Sequence, residues 1–225
     1  EIVDCAGNLG NAHTGLSKQL PILSAIGDQQ SASVGQACFH PGSVKATFGT
    51  GCFVILNTGG RILKSSNRLL TTIGLQLNQK QTYAMEGSIF VAGAVIQWLR
   101  DGIGLLKDAK QSEKIASELA SNNGVYMVPA FTGLGAPYWS ADARGAIFGI
   151  TRDTNPEDFI RAALEAVAYQ TTDLISAMAQ DGMRPTNIKV DGGMAANNWL
   201  MQFLSDIVDI AVERPSQLET TALGS

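Results

Sequence analysis

Hydrophobic and polar positions change period several times along the chain. From Pro21 the apolar run PILSAIG predicts a strand over about residues 22–27 that leads into a helix after Gly27-Asp28. Behind Asp28, the small residues Ser31, Ala32, Ser33 and Gly35 are suited to the packed face of that helix. SVKATFGTGCFVILNTGG has strand character on both sides of Gly49-Thr50-Gly51, and LLTTIGLQL and QTYAMEG read as two further strands joined around Asn78. Four strands in an antiparallel meander are expected. In SIFVAGAVIQWLRDGIG, Phe90, Ala94, Gln97 and Trp98 fall at helical spacing, with Gly102 and Gly104 to end the helix. AKQSEKIASELASNNG predicts a second, amphipathic helix stopping at Asn122-Asn123-Gly124.

Further on, GVYMVPAFTGLGAPYW reads as a short buried strand followed by a Gly/Pro-rich loop, and RGAIFGIT as another strand. The clearest helix is NPEDFIRAALEAVAYQTTDLISAMAQ. Asn155 or Thr154 caps it, Pro156 takes the first position, and Glu157 and Asp158 face the helix dipole. Its apolar face includes Ile160, Ala163, Leu164, Val167, Leu174 and Met178. NIKVDGG is a strand, NNWLMQFLSDIVD a helix and AVERP a closing strand. A mixed sheet with helices packed on it is expected, an α/β or α+β layered domain. Residues 1–20, rich in Gly, Asn and Ser and without period, are expected as a linking loop with at most a short strand, and residues 21–225 as the domain. Both ends read as cuts, because Glu1 lies in a running segment and QLETTALGS stops where a small-residue helix begins. A piece of a longer protein is expected.

Composition narrows the possible partners. Sixteen basic and twenty acidic residues among 225 give a net charge of −4 with no block of like charge, which points away from nucleic acid and from anionic membrane surfaces. The apolar runs fall well short of the roughly 20 residues needed to span a bilayer. Cys5, Cys38 and Cys52 lack metal-ligand spacing and read as buried thiols in a reducing, cytoplasmic setting.

Three segments are candidates for chemistry. In KVDGGMAANNWL a strand ends at Asp191, two glycines permit close backbone approach, and a helix opens near Asn197 or Asn198 with exposed amide donors. That geometry suits a nucleotide, or is simply a tight turn with an asparagine cap. It is neither a Walker A loop nor a GxGxxG fingerprint. In TFGTGCF the glycines around Thr50 form an anion-sized concavity or an ordinary hairpin turn. PAFTGLGAPYW is a cleft wall or a packed aromatic corner. Asp28 is either a helix N-cap or a base at the mouth of a cleft, where a helix dipole favours negative charge. His13 and His40 have no partner that spacing identifies.

The series AIGDQQ, FGTGCF, LLTTI, AMEGSIFVAGAVIQWLRD, NGVYMVPAFTGLGAPYW, ARGAIFGITR and VDGGMAANNWLMQFLSDI, in order from about residue 22, resembles the C-terminal half of the FGGY carbohydrate kinases, in the branch acting on glycerol. The resemblance implies an actin/hexokinase-like, ribonuclease-H-like domain and transfer of the γ-phosphoryl group of ATP to glycerol. ATP and Mg²⁺ are the implied cofactors, with the ion held through ATP and Asp28 the one side chain near it. By the same resemblance Asp28 is the catalytic base, Gln29 and Phe53 contact the substrate, and Thr50, Gly93, Gln97, Gly193 and Asn197 contact the nucleotide. The implied partners are glycerol, ATP and the family's N-terminal domain, which this chain lacks, so the fragment alone is expected to be inactive. A homo-oligomer is compatible with the chain. One departure lies in GLSKQLP, where Gln19 stands nearest the place of an arginine found in members inhibited by fructose 1,6-bisphosphate, so that inhibition is not expected. The alternatives are an FGGY kinase of a pentulose or sugar acid, and a non-catalytic actin-like nucleotide module.

Overall fold

The computed structural model describes residues 3–13, 15, 19–217 and 219–225. Along them run β1 (Asn11–Ala12), β2 (Leu20–Pro21), α1 (Asp28–Gly35), β3 (Ser43–Phe48), β4 (Cys52–Gly59), β5 (Leu70–Leu77), β6 (Lys80–Ile89) and α2 (Gly93–Gln97). There follow α3 (Gln111–Glu118), β7 (Tyr126–Val128), β8 (Ala146–Phe148), α4 (Pro156–Gln180), β9 (Asn187–Asp191), α5 (Asn198–Val208), β10 (Val212–Glu213) and α6 (Thr220–Gly224). A π turn over Trp98–Gly102 continues α2, and a 3-10 turn over Gly193–Ala196 joins β9 to α5.

One mixed sheet has the order β10-β9-β3-β4-β6-β5. β9 and β10 run parallel to β3, whereas β3, β4, β6 and β5 pair antiparallel. The expected α/β class with helices on a mixed sheet is the one found, but the simple meander is corrected. β4 pairs with β3 and with β6 rather than with β5, and β5 lies at the edge. Burial explains the order: the second half of β6 is almost wholly covered, while β5 is exposed or half-buried throughout and suits an edge position. The two are joined at Asn78-Gln79, which take φ of 51° and 58°.

The helices divide between the two sheet faces. Val44, Ala46 and Phe48 of β3, Val54 and Leu56 of β4, and Ile188 and Val190 of β9 form a core with Leu164, Leu174 and Met178 of α4 and Leu200 and Leu204 of α5. On the other face α1 packs against α6. A Cβ on Gly35 would lie 2.0 Å from the Thr220 carbonyl oxygen, and one on Gly224 would lie 1.8 Å from that of Ser31. Ser31 Oγ also donates to the Thr221 carbonyl at 2.7 Å. The small residues of α1 therefore serve this contact.

α4 opens as its sequence reads, with Pro156 in the first turn and the Asn155 N–H donating to Asp158 at 2.8 Å. A nearly buried i,i+4 ion pair, Arg161 to Glu165 at 2.8 Å, lies along it, and the same guanidinium donates to the Ala116 and Leu119 carbonyls of the α3 end. Asn122 and Asn123 donate to Glu165 and Asp158, each at 2.7 Å, and anchor the loop after α3.

Three element expectations are corrected. No strand forms over 22–27: β2 covers only Leu20–Pro21, and the segment after it bonds irregularly to residues 5–10, for instance Gly7 N–H to Leu23 O at 2.8 Å. Ile22 and Leu23 remain exposed, so no face of this segment is buried to enforce a register. Phe90 is not helical, because α2 starts only where the Gly49 and Thr50 carbonyls accept the Gly93 and Ala94 N–H groups, at 2.9 and 3.0 Å. α3 stops at Glu118 instead of Asn122: Leu119 turns extended and its carbonyl accepts from the Arg161 guanidinium. In GLSKQLP, residues 16–18 lie outside the described residues. Among the described residues no helix is long and apolar enough to cross a membrane.

Candidate functional site

The hairpin between β3 and β4, the start of α2, the turn after β9 and the approach to α3 enclose a cleft of about 580 Å³. Thr50, Gly93, Gln97, Gly193 and Asn197 all line it, although they come from three separate segments. Two close approaches make this possible. A Cβ at Gly93 would sit 2.5 Å from the Gly49 carbonyl oxygen, so α2 can meet the hairpin only through glycine. Gly192, with φ of 85°, would place a Cβ 2.5 Å from the Phe48 carbonyl oxygen. Gly193, by contrast, would meet nothing within 4 Å and faces open space.

The hydrogen bonds decide between the readings left open by sequence. Within the hairpin, the Gly49 N–H is taken by the Gly51 carbonyl at 2.9 Å. The exposed Thr50 hydroxyl has no partner among the described residues. Asn197 is a true cap: its Oδ1 accepts the Leu200 N–H at 2.9 Å, and its Nδ2 lies 3.5 Å from Ser112 Oγ. What the turn shows to the cleft is therefore its glycine backbone rather than the carboxamide oxygen. Sequence reasoning missed Arg100, Asp108, Lys110, Ser112 and Glu113 on the cleft wall. Arg100 follows Gln97 by one helical step, a signal that was available, whereas residues 108–113 carried none. Arg100 is held by Asp101 through two bonds of 2.7 Å.

Asp28, Gln29 and Phe53 do not line that cleft. Asp28 is the first residue of α1; Gly27 holds the cap position with φ −66° and ψ 150°, so the N-cap reading of Asp28 is corrected. Its Oδ1 accepts the Gln29 N–H at 2.7 Å, and the side chain is exposed. Gln29 is half-buried, and its Oε1 accepts from Lys45 Nζ, which also donates to Thr47 Oγ1 at 2.8 Å. Thr47 pairs in register with Phe53, which places the 40% exposed Phe53 on the sheet face that carries Lys45. The β3–β4 hairpin thus separates an acidic corner on one face from the cleft on the other.

Beneath α1 lies a polar layer. Lys45 is fully buried, and burial lowers its pKa against the pull of the Asp191, Asp28 and Glu86 carboxylates. Asp191, at the end of β9, is buried and accepts from Gln36 Nε2 at 2.8 Å and from the Thr220 hydroxyl. Its Oδ1 and Gln36 Oε1 have no partner among the described residues. Lys189 Nζ donates to the Gln36 carbonyl at 2.7 Å.

Comparison with known proteins gives one consistent result. The profile of the FGGY family of carbohydrate kinases, C-terminal domain, matches residues 44–225. Glycerol kinase 1 of Pseudomonas aeruginosa is 58% identical over 225 residues, which is 100% of this chain and 46% of the relative. The glycerol kinase of Alteromonas mediterranea is 58% identical over 226 residues, with the same two coverages. The chain therefore spans about half the length of the curated relatives it matches. Among solved structures, Plasmodium falciparum glycerol kinase with ADP superposes with a TM-score of 0.91 at 38% identity, over 98% of this chain and 45% of that one. A xylulose kinase from Brucella ovis, at 19% identity and a TM-score of 0.85, shares the fold.

Proposed function

This chain belongs to the FGGY family of carbohydrate kinases, as its C-terminal domain, and on that premise we propose that it is the nucleotide-binding half of an enzyme that phosphorylates glycerol. The γ-phosphoryl group of ATP passes to a terminal hydroxyl, giving sn-glycerol 3-phosphate. The observation that carries the reading is the convergence of Thr50, Gly93, Gln97, Gly193 and Asn197 on one cleft, with Asp28 and Gln29 held on the other face of the same hairpin. In this reading Gly193 and Asn197 flank the adenosine, Gly93 and Gln97 the opposite wall, and the free Thr50 hydroxyl the phosphates at the hairpin tip.

Phosphoryl transfer asks little covalent chemistry of a protein and depends on alignment and charge neutralisation. Asp28 accepts the hydroxyl proton as the new bond forms, with one carboxylate oxygen free of intrachain bonds among the described residues. Gln29 holds the same alcohol, and Phe53 supplies an apolar wall for the carbon chain. Mg²⁺ would arrive with ATP, the exposed Asp28 carboxylate would hold it through a bound water, and it would supply charge neutralisation at the phosphates. Residues 1–20 lead into the domain. An N-terminal half like that of the longer relatives closes the cleft and supplies the remaining contacts to glycerol; the chain alone does not turn over. The setting is cytoplasmic.

The test is Asp28→Asn in the full-length protein, assayed for ADP release with glycerol, a pentulose and a sugar acid. Wild type turns over with glycerol, and the variant loses about 100-fold or more of kcat while both KM values stay within a few-fold. Near-normal turnover in the variant would remove Asp28 as the base. A wild type that prefers a pentulose or sugar acid would move the acceptor to another FGGY substrate.

A further inference from the structure

Lys45 is the largest charged side chain in the core, with 0% of its surface exposed. Among the described residues it has no ion-pair partner within salt-bridge distance, and its ammonium is held instead by two neutral oxygens, Gln29 Oε1 and Thr47 Oγ1. Burying a cation this way is costly, and an aliphatic residue in the middle of β3 would serve stability better. The site is therefore explained by what the ammonium holds.

An ammonium has three donors and no acceptor. Gln29 must turn its carboxamide oxygen inward toward Lys45, which leaves the NH₂ group pointing away, with no partner among the described residues. The adjacent Asp28 carboxylate offers only acceptors. Two neighbouring residues at the start of α1 thus present opposite halves of a hydrogen-bonding pair: N–H donors from Gln29 and oxygen acceptors from Asp28. A hydroxyl, with one donor and two lone pairs, satisfies both at once. An ammonium group satisfies only the carboxylate.

We propose that Lys45 is a positioning residue for the acceptor alcohol: it fixes the orientation of the Gln29 amide so that donors face the substrate, and thereby makes the Asp28–Gln29 corner selective for a hydroxyl. This rests on the kinase reading above. Lys45 does not touch substrate and acts through Gln29. Thr47, as its second acceptor, keeps the ammonium directed at the amide.

The experiment is a kinetic double-mutant cycle in the full-length protein with Lys45→Met and Gln29→Ala. Lys45→Met raises the KM for glycerol about 10-fold, the scale of one misdirected hydrogen bond, while the KM for ATP stays within about 2-fold. On the Gln29→Ala background the same change adds less than about 2-fold, because its effect already runs through the missing amide. Thr47→Val, which leaves the lysine in place, gives a smaller rise in the same constant and serves if Lys45→Met does not fold. Equal increases in both KM values, or full additivity with Gln29→Ala, would reduce Lys45 to a packing role. A wild type without glycerol-dependent turnover would instead overturn the kinase reading and this inference with it, an outcome visible before any variant is made.

Discussion

On the side covered by α4 and α5, the central strands contribute Val44, Ala46, Phe48, Val54, Leu56, Ile188 and Val190, all 0% exposed. On the side covered by α1 and α6 the alternate positions of β3 and β9 are Lys45, Thr47, Lys189 and Asp191, while β4 adds Phe53 and Ile55. Lys45 and Asp191 are as buried as the residues opposite, with Thr47 and Lys189 partly covered, yet one layer is hydrocarbon and the other carries hydrogen bonds with two oxygens left over. The apolar side accounts for why the domain folds, since burying a large aliphatic side chain contributes about 1.5–3 kcal/mol. The polar side is weakly stabilising at best and instead sets the direction of groups at the head of α1.

This contrast can be broken by substitution. Leu56→Ala on the apolar side should lower the unfolding free energy by about 2–5 kcal/mol, measured by urea titration, because the cavity cannot collapse between packed layers. Asp191→Ala on the polar side should cost less, about 1–3 kcal/mol, as Gln36 and Thr220 lose their acceptor. Asp191→Asn should cost less again, since one oxygen remains to accept both bonds. If Asp191→Ala proves as damaging as Leu56→Ala, the two layers are not different in kind.

The thiols sharpen the same comparison at a smaller scale. Cys52 lies in the apolar layer and burial pushes its pKa up to about 12, while burial pushes Cys38, beyond α1, up to about 11. Thiolate is the reactive form, so iodoacetamide near neutral pH should label the part-exposed Cys5 first, Cys38 more slowly and Cys52 only on global unfolding, read by mass spectrometry. A thiol whose native pKa is raised stabilises the fold fully below its ordinary value of 9.0 and loses that contribution as pH climbs toward about 12. The urea midpoint should accordingly fall from pH 9 upward. Labelling of Cys52 at the Cys5 rate would mean that the apolar layer opens locally.

The sequence carried the apolar layer well and the polar one poorly, for a physical reason. V-K-A-T-F alternates, and alternation reports which face is apolar but says nothing of whether the other is wet or covered by a helix. Lys45 therefore read as a strand residue of no special note, and its burial depends on α1 lying over it. Asn155, Pro156 and Asp158 were legible because capping is local, with all its partners within four residues. Strand order was not, since the pairing of β4 with β6 depends on which strand can tolerate an edge. The cleft positions were named through likeness of motifs, and the flanking residues 108–113, outside any motif, were found only by proximity in space.

The contact between α1 and α6 has a consequence for the order of assembly. Ser31 and Thr221 stand 190 residues apart, so the cover over the polar layer joins segments far apart in sequence. Contacts so distant in sequence carry a loop-closure cost before they return any energy, and they tend to form late. During synthesis, emerging at about 5–20 residues per second, α1 leaves the ribosome long before Thr220 does. Throughout that interval Asp191 lacks its hydroxyl partner from α6, and the glycine seam between the two helices has nothing to close on. A nascent chain would then hold an apolar layer already able to collapse beside a polar layer still open to water until α6 arrives.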